Sequence, residues 1–156
     1  MTEMGGQLML FSAGPRRFAV PVVEVAEVME SPLLHPIPGA PPLLAGAMNF
    51  HGRILPVISL AEFWGLPPAP ADGKVIVFDD WVASMGILAD EVQNIIPVTS
   101  VLEEDESREA GVTRQLLLAE GKADLITCQV LLEEMERRLR SRRSFPAQID
   151  SPPTEV

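Results

Sequence analysis

The 156-residue sequence predicts a mainly β protein: two small five-stranded barrels packed on a shared apolar junction, followed by one helix. Three observations lead there. Apolar runs of strand length are bounded by Gly-, Pro- and Asp-containing turns. The two halves of the chain repeat the same pieces in the same order. Helical spacing of apolar residues is sustained only near the C-terminus.

Leu8–Ser12 and Arg16–Val20 read as a hairpin across Gly14-Pro15. In Val22–Val28 the valines at 22, 25 and 28 lie three apart, with Glu24 and Glu27 between them. This spacing predicts one helical turn leading into a strand, with the carboxylates facing water. Ser31–Pro42 carries five prolines and reads as a stiff extended loop anchored by Leu33, Leu34 and Ile37. Leu43–Phe50 and Ile54–Ile58 flank His51-Gly52, a tight turn in which Gly can take positive φ. Pro56 cannot donate to a ladder, so its strand is expected to be an edge or to carry a bulge. Ser59 and Glu62 form a capping box for a short helix bearing Phe63 and Trp64, which Gly65 and Pro67-Pro68 end.

Leu66–Gly73 is the clearest internal boundary. Beyond it, Lys74–Phe78 and Trp81–Ala89 read as strands around the turn Asp79-Asp80, and Asp90 as the start of a short helical turn. Glu103–Glu109 reads as an exposed loop. Gln115–Ala119 and Ala123–Thr127 form a hairpin across Glu120-Gly121. Gln129–Arg140 is the best helix: Leu131, Leu132, Met135 and Leu139 make its apolar stripe. Glu133/Arg137, Glu134/Arg138 and Glu136/Arg140 stand at i,i+4 with the acid first. The expected limits are 8–143 for the domain, about 16–66 and 74–128 for the two barrels and about 129–141 for the helix. Strand exchange between the barrels is possible, and 144–156 is expected to be a disordered tail.

The repeat is read without gaps. Phe18–Val28 aligns on Met85–Ile95, so that Glu24-Val25 falls on Glu91-Val92. His51–Leu60 aligns on Glu120–Gln129, so that Gly52 falls on Gly121 and Val57 on Ile126. The offsets are 67 and 69. Barrels this small must share apolar surface to be stable, and a groove between them follows.

Composition excludes several functions. The net charge is −10; without the cluster Arg137, Arg138, Arg140, Arg142 and Arg143, the remaining 7 basic and 22 acidic residues leave −15. Such a body repels phosphate backbones, so no nucleic acid is expected as partner. No apolar run is long enough to span a bilayer, and none is expected to insert. The single cysteine, Cys128, fits a reducing, cytoplasmic setting. As a nucleophile it lacks an adjacent base, and with only His35 and His51 no metal site is expected. The arginine cluster reads as a solvated helix end, with an acidic partner or anionic surface as the alternative.

These motifs together resemble the CheW-like family, the adaptor domain of bacterial chemosensory arrays. The resemblance rests on Phe18–Val28, on Pro36–Gly46, on Asn49-Phe50-His51-Gly52 with Ile54–Leu60, and on Gly86–Val92. It covers about Leu8 to Arg140. It implies SH3-like barrels, no catalysis and no cofactor. It also implies two partners: the cytoplasmic tip of a chemoreceptor and the regulatory domain of a CheA-type histidine kinase. By position, the receptor-binding residues would be Val25, Glu27, Val28, Asn49 and His51. The kinase-binding residues would lie near Ile87, Leu88 and Asp90. The chain departs from the family pattern at His51, where an arginine is usual, and at Ser59, where an aspartate is usual. An imidazole lacks the guanidinium's fork, so a different client of the same fold is the alternative.

Overall fold

The computed structural model describes residues 6–150, those from 142 onward as helix backbone only. Eleven strands and two α-helices follow in the order β1 (Gln7–Ala13), β2 (Arg16–Pro21), β3 (Val25–Glu30), β4 (Leu44–Phe50), β5 (Arg53–Ser59), α1 (Leu60–Trp64), β6 (Lys74–Phe78), β7 (Gly86–Ala89), β8 (Glu91–Pro97), β9 (Glu103–Glu106), β10 (Arg114–Leu118), β11 (Gly121–Leu125) and α2 (Cys128–Asp150). A one-turn 3-10 helix, Val22–Glu24, leads into β3. The mainly β class with a terminal helix is the predicted one.

The strands form two sheets, ordered β8-β1-β2-β11-β10-β9 and β3-β6-β7-β5-β4. The hairpin β1–β2 joins strands from the second half of the chain, and β6–β7 joins strands from the first. Exchanging β3 for β8, β6 for β1, β7 for β2, β5 for β11 and β4 for β10 turns one order into the other, with β9 added. Even the irregularities match. The β3–β6 ladder slips between Val25 and Glu27, and the β1–β8 ladder slips opposite Val92 and Asn94, both 67 residues on. The repeat read from the sequence is therefore a structural one.

Burial explains the shared junction. On β1, Leu8 and Leu10 face the first sheet's own core, while Met9 and Phe11 face a larger core common to both sheets. On β6, Val75 and Val77 face the second sheet's own core, and Ile76 and Phe78 enter the common one. Period-2 alternation on a strand buried on both faces thus feeds two cores at once. Phe18, Phe63 and Leu131 complete the common core, which ties α1 and α2 to both sheets.

Local expectations mostly hold. Ser59 caps α1 by accepting the Glu62 N–H at 3.2 Å, and Gly65 ends the helix at φ 66°. Four readings need correction. Pro56 is on neither an edge nor a bulged strand: β5 lies between β7 and β4, and the slip is on β4, between Leu44 and Gly46. Its partner Ala47 gives both backbone groups to His35, at 2.8 Å each. Ala47/Pro56 is therefore a non-hydrogen-bonded pair, so the nitrogen of Pro56 faces away from β4. On that other side β7 pairs only from Val57 onward, so no donor is missed. Trp81–Ala89 is a strand only over Gly86–Ala89, because the Asp79 carbonyl accepts the Val82 and Ala83 N–H groups and turns the chain. Glu103–Glu106 is an edge strand rather than a loop; its backbone pairs with β10 while acidic side chains guard the open edge. Finally, α2 extends to Asp150, past the apolar stripe that predicted its end. Residues 151–156 of the expected tail lie outside the described residues.

Candidate functional site

β3 and β4 are the two edges of the five-stranded sheet, and a side chain of β3 meets one from the turn after β4. Nε2 of His51, in the turn after β4, lies 3.1 Å from Oε1 of Glu27 on β3. Arg53 pairs with Asp80 alongside. The turn is built locally. His51 and Gly52 take φ of 52° and 86°, and the Asn49 side chain accepts the Gly52 N–H at 2.9 Å. The His51 ring packs edge-on against Phe50, 4.4 Å between centroids. On β3, Val25 and Val28 are half-buried against the common core, and Ala26, Glu27 and Glu30 are exposed. The folded chain thus brings Glu27 to His51 across 24 residues, while Val25 and Val28 turn toward the common core. Asn49 is committed to shaping the turn.

The second predicted set divides. Ile87 is fully buried in the common core and cannot touch a partner; this corrects its assignment as a contact residue. Period-2 alternation puts Leu88 on the other face of β7, half-buried against the second sheet's core. Asp90 occupies the bend between β7 and β8 and starts no helical turn. Its carboxylate accepts the Gly14 N–H at 3.0 Å, and its own N–H reaches the Ser12 carbonyl at 2.8 Å, so it ties the sheets together.

Sequence reasoning missed Glu24, which was expected to face water. Its side chain is half-buried and accepts the Cys128 N–H at 2.8 Å, capping α2 from 104 residues away. Burial pushes its carboxyl pKa up more than that hydrogen bond pulls it down. The repeat held the only signal: Ser59, the counterpart of Cys128, caps its helix with its own side chain, which a thiol does poorly. Cys128 is sealed from solvent, and burial together with Glu24 pushes its thiol up to about 12. It therefore stays protonated at neutral pH, which a nucleophile must not do.

The arginine cluster is partly committed to the fold. Arg137 and Arg138 both grip Glu134, at 2.7 and 2.8 Å, and hold its carboxyl down at about 2. Arg137 thereby takes Glu134 rather than the predicted Glu133. Arg138 also donates to the Phe63 carbonyl at 2.6 Å and lies 4.0 Å from that ring's centroid, docking α2 on α1. The side chains of Arg142 and Arg143 lie outside the described residues. Among the described residues no group of His, Cys, Asp and Glu is placed to hold a metal ion, and no helix is long and apolar enough to cross a membrane.

Two interlocked sheets share one core, and side chains from β3 and from the turn after β4 meet at a small polar surface. The chain belongs to the CheW-like domain family, whose pattern it matches over residues 7–131. It is 32% identical over 106 residues to Protein PilI of Pseudomonas aeruginosa, covering 65% of this chain and 60% of that protein. It is 28% identical over 101 residues to Chemotaxis protein CheW of Rhizobium meliloti, covering 64% and 65%. The match thus spans less than two thirds of either relative's length. The fold is similar to that of the scaffolding protein TtCheW from Thermoanaerobacter tengcongensis, at 22% identity and a TM-score of 0.69, covering 79% of this chain and 89% of that one.

Proposed function

We propose that this chain is a non-enzymatic adaptor that couples a chemoreceptor's cytoplasmic tip to the regulatory domain of a CheA-type histidine kinase. The family match across residues 7–131 carries the reading. The mechanism is positional: two partners held at fixed geometry feel each other's movements, and weak single contacts become firm through multiplicity. The receptor contact is assigned to Val25, Glu27 and Val28 of β3 with the Asn49–Gly52 turn. The kinase contact is assigned to the neighbourhood of Leu88 and Asp90. Capture of a purified CheA-type regulatory domain and of a receptor-tip fragment tests it; retention of neither by the wild-type chain would reject it.

A second reading, the same scaffold with another client, is favoured by His51. The imidazole already faces Glu27, and it offers one contact where a guanidinium offers a fork. One relative also carries a name other than CheW. If the client is an ordinary receptor tip, His51→Arg will strengthen capture by about fivefold, the worth of one exposed charged contact. Unchanged or weakened capture favours the other client.

A further inference from the structure

Glu24 holds two pieces of chain side by side. Its carbonyl accepts the Asp79 N–H at 2.8 Å and fixes the turn that carries Trp81 and Val82. Its carboxylate accepts the Cys128 N–H and fixes the start of α2. Between them runs a groove of about 340 Å³. One wall is Trp81 and Val82; the other is Gln129, Leu132, Glu133 and Glu136, residues at i, i+3, i+4 and i+7 of a single helix face.

The groove has an apolar floor and an acidic rim. Val82 and Leu132 pack down on the common core, whereas Trp81 is 67% exposed on a backbone pinned at both ends of its turn. An exposed indole on a fixed turn is a prepaid anchor, because little of its freedom remains to be lost on binding. Glu133 takes only the Gln129 side-chain amide, at 3.4 Å, and Glu136 has no ion pair among the described residues. Both carboxylates are exposed and belong to a chain of net charge −10.

We infer that this groove docks a basic amphipathic helix of a partner protein, its aliphatic residues seated against Trp81 and Leu132 and its Lys or Arg residues meeting Glu133 and Glu136. Apolar floor and acidic rim select that chemistry together: an acidic helix is repelled, and a polar basic segment leaves the indole uncovered. The surface adjoins the Glu27–His51 patch through the Arg53–Asp80 pair, yet its occupant is defined by chemistry and does not depend on the kinase–receptor reading.

The chain has two tryptophans, so Trp64→Phe makes Trp81 the sole reporter. This variant of the full chain is titrated with a synthetic helical peptide of Leu and Arg, and with a Leu and Glu peptide of the same Leu spacing. The expected result is a saturable blue shift of Trp81 emission with the basic peptide only, weakened by added salt. Glu133→Lys with Glu136→Lys, both at exposed positions, is expected to weaken that binding about tenfold. Absence of a shift, equal binding of the acidic peptide, or indifference to the double substitution would overturn the proposal. So would a concentration-dependent shift without peptide, which would place a second copy in the groove. Kinase capture, run separately, reads the adaptor role alone.

Discussion

Replacing Glu24 removes a hydrogen bond that ties the turn leading into β3 to the start of α2. In Glu24→Ala the Cys128 N–H, at a buried residue, loses its acceptor at 2.8 Å. Losing a helix cap costs about 0.5–2 kcal/mol, and leaving a buried donor unpaired belongs to the upper part of that range. We expect about 1.5 kcal/mol. For a chain of this size each kcal/mol moves Tm by about 2–4 °C, so Tm should fall by roughly 3–6 °C. Glu24→Gln should behave differently. It keeps an acceptor oxygen and removes a charge whose burial outweighs its hydrogen bond, as the raised pKa of Glu24 records. The sign follows from linkage: a carboxyl whose folded pKa is raised stabilises most below its unfolded value, 4.5, and loses that contribution as pH rises through the folded one. At pH 7 the glutamine should therefore be neutral or slightly stabilising. Urea unfolding followed by circular dichroism at pH 7 and pH 4 measures both variants. A glutamine as damaging as the alanine would refute the primacy of desolvation, and an alanine with no effect would refute the cap itself.

Three further outcomes are expected. Gly111→Ala should destabilise by about 1–3 kcal/mol, since its Cβ would lie 2.7 Å from Cε1 of Phe63 at a φ of +91°; thermal melts check this. Glu134, with its pKa depressed from 4.5 to about 2, contributes stability above pH 4.5 that is lost as pH falls toward 2; Glu134→Gln should be less stable at pH 7 and flatten that acid limb in urea titrations. Cys128, buried and held up at about 12, should resist iodoacetamide at pH 8 in the native protein and label fully in urea, by mass spectrometry.

Much of the fold was legible because its signals are local. Alternating apolar residues, the Ser59 cap, the Gly65 stop and the His51-Gly52 turn each act within a few residues, and each is where the pattern put it. The repeat was legible because two copies of one local plan keep their spacing. Ile87 was misjudged as a contact because a strand motif does not say which face points inward. Glu103–Glu106 was misjudged because an edge strand needs only backbone pairing, which leaves no mark on its side chains.

The sequence by itself determined the class, the two copies and the family, since these follow from period, turn chemistry and spacing. Only the tertiary structure decided which hairpin enters which sheet, that Glu24 caps a helix 104 residues away, and that Glu27 meets His51. The reason is physical. A cap, an ion pair or a groove depends on the separation of atoms in space, and chain closure across long loops brings together residues that no local pattern relates.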